Sequence, residues 1–116
     1  MRFGASWCVL AASGVRRMAV LEVSVVPLGT STPSVSKFVA AAIEVVEASG
    51  LVYRLGPMST CIEGPLNEIV DVAVQMHQAC FSEDVRRVVT RITIDDRQDK
   101  KLTMDSKTEA VSPKQF

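Results

Sequence analysis

Neither sign of charge predominates in this chain: thirteen basic and thirteen acidic side chains cancel over 116 residues. Without a net field, nothing general draws nucleic acid or an anionic membrane to it. Copies of the chain do not repel one another either, so self-association stays open. Cysteine is scarce and scattered, at Cys8, Cys61 and Cys80, with no C-x-x-C pair. That spacing argues against structural zinc and a disulfide framework and fits a reducing cytoplasm, with Cys61 and Cys80 as small buried hydrophobes. The single histidine, His77, follows Leu66, Val70 and Ala73 at helical intervals, which suits a packed helix histidine better than a metal ligand or a base. Gly29 is the only glycine of its turn and no G-K-[ST] follows it, so there is no phosphate loop. With no nucleophile–base arrangement and no metal-ligand spacing, catalysis has no obvious instrument.

The composition that remains, 47% hydrophobic and 22% charged, is that of one globular domain. Residues 1–17, "MRFGASWCVLAASGVRR", stand apart. They hold Arg2, Arg16 and Arg17, no acidic residue, and an apolar stretch from Phe3 to Ala12 too short to span a bilayer. They read as an upstream extension from a mis-called start, ahead of a weak targeting segment. The domain proper is expected over 18–112, with 113–116 as a tail.

"MAVLEVSVVP" alternates with period two: Ala19, Leu21, Val23 and Val25 face one way and Val20, Glu22, Ser24 and Val26 the other, a strand buried on one side. In the loop "LGTSTPS", Thr32 is placed to cap a helix and Pro33 to take its first position. The helix stripe is Val35, Phe38, Val39, Ala42, Ile43 and Val46, with Gly50 as a left-handed stop. Leu51–Leu55 and Met58–Glu63 are two short strands broken at Gly56-Pro57. Pro65 opens a second helix with the stripe Leu66, Ile69, Val70, Ala73, Met76 or His77, and Cys80. "RRVVTRITIDDR" is a last one-sided strand, and a short helix is expected around Thr103 to Val111. The order β-α-β-β-α-β predicts an α+β, ferredoxin-like domain: a four-stranded antiparallel sheet with two helices on one face and a short C-terminal helix. The other face shows Val20, Glu22, Ser24, Val26, Val89, Arg91 and Thr93. It is too apolar to be purely solvated, so a second subunit is its expected cover.

The polar residues that could form a site are Thr30, Ser31, Thr32, Ser34 and Ser36 around the first helix start, Glu63 beside the second, and Asp95 with Arg97. Each has an ordinary structural use: capping, a favourable carboxylate at a helix N-terminus, or a surface ion pair.

"VSVVPLGT" (23–30), "SVSKFVAAAIEVVEASGLVYRLGPMSTCIEG" (34–64) and "RRVVTRITIDDRQDK" (86–100) resemble the thiamine-binding protein family, long catalogued as an uncharacterised conserved family. Four pieces in order carry the likeness: P-L-G-T, S-G-L-x-Y, P-M-x-T-x-I-E-G, and R-V…D-x-R. It extends over about Met18 to Val111, as a single compact domain would. The resemblance implies a ferredoxin-like fold, dimers or tetramers, and non-catalytic binding of thiamine or its hydroxymethyl-pyrimidine part, as a ligand rather than a cofactor. Storage, delivery and sensing are the uses that follow. This chain departs from the family in having Ser59 where glycine is usual, a glycine-free "SEDVRR" turn, and residues 1–17, which have no counterpart.

On this resemblance Glu63 supplies a carboxylate for the pyrimidine amino group and Thr60 a hydroxyl, with Thr30, Ser31 and Ser36 as further polar contacts. Thr60 and Glu63 lie three apart, so strict alternation cannot put both on one face. Either Glu63 belongs to the turn or the two serve different surfaces. The alternative function is an oligomeric interaction module that uses the open sheet face and no small ligand. An acylphosphatase-like enzyme is disfavoured, because the only asparagine, Asn67, is in a helix and the first loop has no arginine.

Overall fold

The computed structural model describes residues 18–30 and 33–111. The elements run β1 (Ala19–Leu28), α1 (Ser36–Ser49), β2 (Val52–Leu55), β3 (Thr60–Gly64), α2 (Leu66–Ala79), β4 (Arg87–Asp95) and α3 (Met104–Ala110). The four strands form one antiparallel sheet in the order β2-β3-β1-β4. This is the ferredoxin-like α+β arrangement that the alternating strand and helix patterns predict.

Alternation in β1 sends Ala19, Leu21 and Val23 against the helices. They form the core with Ile62 of β3, Ala42 and Val46 of α1, and Ile69, Val72, Ala73 and Met76 of α2. Of the two candidates on the α2 stripe, Met76 is the core residue, at 1% exposure. His77 instead bridges from α2 to β4: its Nδ1 lies 2.6 Å from Thr90 Oγ1, and its ring meets Phe81 edge-on at 5.3 Å.

α1 ends as expected, on Gly50 at φ 76°, a conformation that costs a side chain-bearing residue more than glycine. Its start differs. Val35 is the N-cap residue, its carbonyl accepting from the N–H groups of Phe38 and Val39, and no side chain caps the helix. Pro33 therefore precedes the helix by three positions instead of opening it, and Thr32 lies outside the described residues. The helix begins where its apolar stripe meets the sheet, so packing sets the boundary and not the cap residue. Pro65 likewise stands at the N-cap of α2, just before the first helical position.

β1 pairs with β4 from Val20 to Leu28 but with β3 only from Ala19 to Val23. Its second half is thus a two-stranded arm with a strand on one side only. Pro27 falls in that half, where a missing N–H can face the open edge without removing a ladder bond.

The far sheet face is covered in part by the chain itself. Leu102 and Met104, with 6% and 5% exposure, pack on Val20 and Cys61 to make a second small core. The expected second subunit is therefore not needed at this end of the face. The segment after β4 carries two apolar residues, Leu102 and Met104, that the sheet buries.

Candidate functional site

Register places the open-face residues in rows across the strands. One row is Val52, Glu63, Val20 and Asp95, the next is Arg54, Cys61, Glu22 and Thr93, and beyond these come Ser24 beside Arg91 and Val26 beside Val89. Three polar attachments hold α3 over the first row. Glu63 Oε1 accepts the Met104 backbone N–H at 2.9 Å, Arg54 pairs with Asp105, and Lys107 pairs with Asp95. Thr103 caps the helix in a reciprocal box with Ser106 (3.1 and 3.0 Å). The carboxylate at the end of β3 thus accepts a backbone donor at the start of α3, where helix N–H groups have no intrahelical acceptor.

In the second row Glu22 stands exposed on a central strand. Ser59 Oγ donates to its Oε2 at 2.8 Å, so the serine orients a carboxylate. Glu63 lies diagonally from Glu22 across the β1–β3 ladder, a placement that puts backbones about 7–8 Å apart. Cys61 faces Glu22 directly. Burial first, and then the Glu22 charge, push its thiol pKa up, with Arg54 acting in the opposite sense. The thiol is therefore held protonated at neutral pH and is a poor nucleophile. Burial also raises Cys80, a free thiol like Cys61. This face presents acceptors, the hydroxyls of Ser24, Ser59 and Thr93, two arginines and the apolar edge of α3. It is equipped to hold an amine or a cationic ring but offers no activated nucleophile.

The residues singled out from sequence do not gather in one place. Thr60 pairs with inward-facing Val23 and is 6% exposed on the helix side, whereas Glu63 pairs with Val20 on the open side. Both belong to β3, so the two serve different surfaces. Thr30 lies in the connection from β1 to α1 and Ser36 is the first residue of α1, its Oγ 3.5 Å from Ser34 Oγ. Ser31 lies outside the described residues. Arg97 pairs with Asp99 rather than Asp95; that hydrogen bond lowers the Asp99 pKa and raises that of Arg97, while Asp95 serves Lys107. Glu22 was not among the sequence candidates, although the signal was present: it is the only charged residue in "MAVLEVSVVP". Among the described residues, no group of three or more His, Cys, Asp or Glu is placed to hold a metal ion, and no helix is long and apolar enough to cross a membrane.

A model of the thiamine-binding protein family matches residues 21–112. The UPF0045 protein YqgV of Bacillus subtilis is 46% identical over 99 residues, covering 82% of this chain and 95% of YqgV. The UPF0045 protein MJ1052 of Methanocaldococcus jannaschii is 41% identical over 95 residues, 82% of this chain and 93% of MJ1052. A solved domain of unknown function, DUF77, from Bacillus cereus superposes with a TM-score of 0.75 at 34% identity, over 85% of this chain and 94% of that one. The structure of a candidate thiamine biosynthesis/salvage protein from Thermotoga maritima superposes with a TM-score of 0.70 at 23% identity, over 82% and 99%.

Proposed function

The chain belongs to the thiamine-binding protein family, and from that premise we propose that it binds thiamine or its hydroxymethyl-pyrimidine part, without converting it, on the open sheet face beside Glu22. The observation that carries this reading is an oriented carboxylate, Glu22 held by Ser59, on a central strand of a face walled by α3. Thiamine joins a cationic thiazolium to an aminopyrimidine, and a carboxylate answers either part. Arg91, on β4 beside β1, is a donor for acceptor atoms of the pyrimidine or an attached phosphate. In this reading Glu63 shapes the site by holding α3, and the protein serves storage, delivery or sensing in the cytoplasm.

Titration calorimetry of the full chain with thiamine, and separately with hydroxymethyl-pyrimidine, tests it. Saturable binding should weaken about 10- to 100-fold in Glu22→Gln, as loss of a charge-assisted hydrogen bond predicts. Affinity indifferent to Glu22 but lost in Ser36→Ala would move the site to the start of α1. No heat with either compound would favour the interaction module.

The same proposal includes a dimer or tetramer. Val26, Leu28 and Val89 leave an apolar patch on the β1–β4 arm beyond the reach of α3, at 43%, 37% and 41% exposure. Val26→Lys should lower the mass measured by light scattering toward one chain, because a buried lysine without a partner is costly at an interface. An unchanged mass would remove this patch from the subunit contact.

A further inference from the structure

The strand order β2-β3-β1-β4 leaves two open sheet edges. The β2 edge is blunted, since that strand has only four residues and runs into Gly56-Pro57. The β4 edge is not. Its nine residues pair one-to-one with β1 without a bulge, contain no proline, and turn unpaired N–H and C=O groups outward on the other side. The residues that β4 presents on the helix side, Val88, Thr90, Ile92 and Ile94, carry no charge, and Ile92 and Ile94 are 41% and 44% exposed. α2 extends the same patch. β3 and β4 both oppose β1, so α2 runs back along β4: His77 meets Thr90, and Val74, a turn earlier, falls on the side of Ile92. Val74 and Phe81 are likewise exposed large apolar residues. An apolar margin beside a bare strand edge is a template for another strand.

The strand that fits is β4 of a second copy. A two-fold axis perpendicular to the sheet keeps both pairs of helices on one side and sets residues of like parity opposite each other. With the axis at Thr93, Ile92 faces Ile94, Arg91 faces Asp95 and Thr93 faces its own copy, so one register supplies apolar, opposite-charge and hydroxyl pairs. Moving the axis to Ile92 sets Asp95 against Val89. Moving it to Arg91 sets two guanidinium groups opposite each other, which is destabilising. The charges are also available. Among the described residues Arg91 has no carboxylate partner, and Lys107 takes only Oδ2 of Asp95.

We propose that β4 pairs antiparallel with β4 of a second copy about Thr93, joining two sheets into one of eight strands, and that this pairing completes the ligand site. Ile94, open to water in the single chain, is covered only in the pair. Asp95 of the second copy holds the Arg91 guanidinium, which stands diagonally from Glu22 across the β1–β4 ladder. Completion of the site rests on the thiamine reading. The pairing does not, and it uses a different surface from the Val26 patch on the open face.

Thr93→Cys in the full chain tests the register, because opposed residues on antiparallel strands have Cα atoms about 4.5–5.5 Å apart, within disulfide range. Under oxidised glutathione, or with a short bis-maleimide, this variant should form a covalent dimer several-fold faster than wild type or Arg87→Cys. Adding Arg91→Asp or Asp95→Arg to it should abolish the crosslink by opposing like charges. Mixing those two chains should restore it, since each then meets the opposite charge. Ile92→Lys, at an exposed position on the helix side of the edge, should also abolish it while far-UV circular dichroism stays unchanged, and Val26→Lys should leave it in place. Thiamine affinity should be several-fold higher in the crosslinked pair than in Ile92→Lys. The pairing is overturned by a covalent dimer no faster than in wild type or Arg87→Cys, by a mixture no better than its parts, or by a crosslink that Ile92→Lys leaves or Val26→Lys removes. A formed crosslink with equal affinities overturns the completion of the site. A formed crosslink with no thiamine bound by either chain overturns the thiamine reading and leaves the pairing standing.

Discussion

Replacing Leu21 with alanine should lower the unfolding free energy by about 3–4 kcal/mol, the middle of the range for leucine removed from a packed core. Leu21 has no exposed surface, sits on a central strand, and pairs with fully buried Ile62 on one side. Its neighbour on the other side, Ile94 of β4, is 44% exposed. The helix layer thus covers β1 and β3 and gives out toward the β4 edge. Ile94→Ala removes a side chain of equal size from the same row and should cost only about 1 kcal/mol, in proportion to the smaller area it buries. Urea titration of both variants checks the contrast through their midpoints, with slopes unchanged. Equal losses would mean that β4 is covered as deeply as β1.

That asymmetry separates what the sequence made legible from what it did not. The inward face of β1 is a matter of period two, and every residue on it was identified correctly because alternation is local. Gly50 and the helix at 103–111 were equally local, each marked by a residue suited to its backbone. Register is not local. Nothing within "MAVLEVSVVP" says that Glu22 will face Cys61 or receive a hydrogen bond from Ser59, 37 positions later. The same limit hid the role of Glu63, whose partner is the backbone of Met104. Leu102 and Met104 were overlooked because two apolar residues in a polar stretch make no periodic pattern, and only the sheet beneath them gives them a place. His77 and Met76 are adjacent, so the stripe alone could not choose between them. The deciding term is Thr90, supplied by a strand that the helix pattern does not contain.

The attachment of α3 gives the second large effect. Glu63→Ala should cost about 2 kcal/mol, the value of a hydrogen bond to a charged acceptor together with the donor it leaves unpaired. The ion pairs on either side, Arg54–Asp105 and Lys107–Asp95, are substantially exposed, and each contributes little. The half-buried Glu63 contact therefore decides whether Leu102 and Met104 stay down. Cys61 lies beneath them, so its alkylation rate, followed by peptide mass spectrometry at neutral pH, should rise in Glu63→Ala even where the domain remains folded. Wild-type alkylation should be slow at neutral pH and accelerate only as the pH passes above the ordinary thiol range, because burial and Glu22 both favour the protonated thiol. Glu63→Gln keeps an acceptor oxygen for the Met104 N–H and should restore most of the protection. The pair also separates the two roles of this carboxylate. If Glu63 only anchors α3, Glu63→Gln keeps ligand affinity within a few-fold of wild type while Glu63→Ala loses it together with Cys61 protection. If its charge contacts the ligand, Glu63→Gln loses affinity with Cys61 still shielded, and the site then extends from Glu22 under the edge of α3.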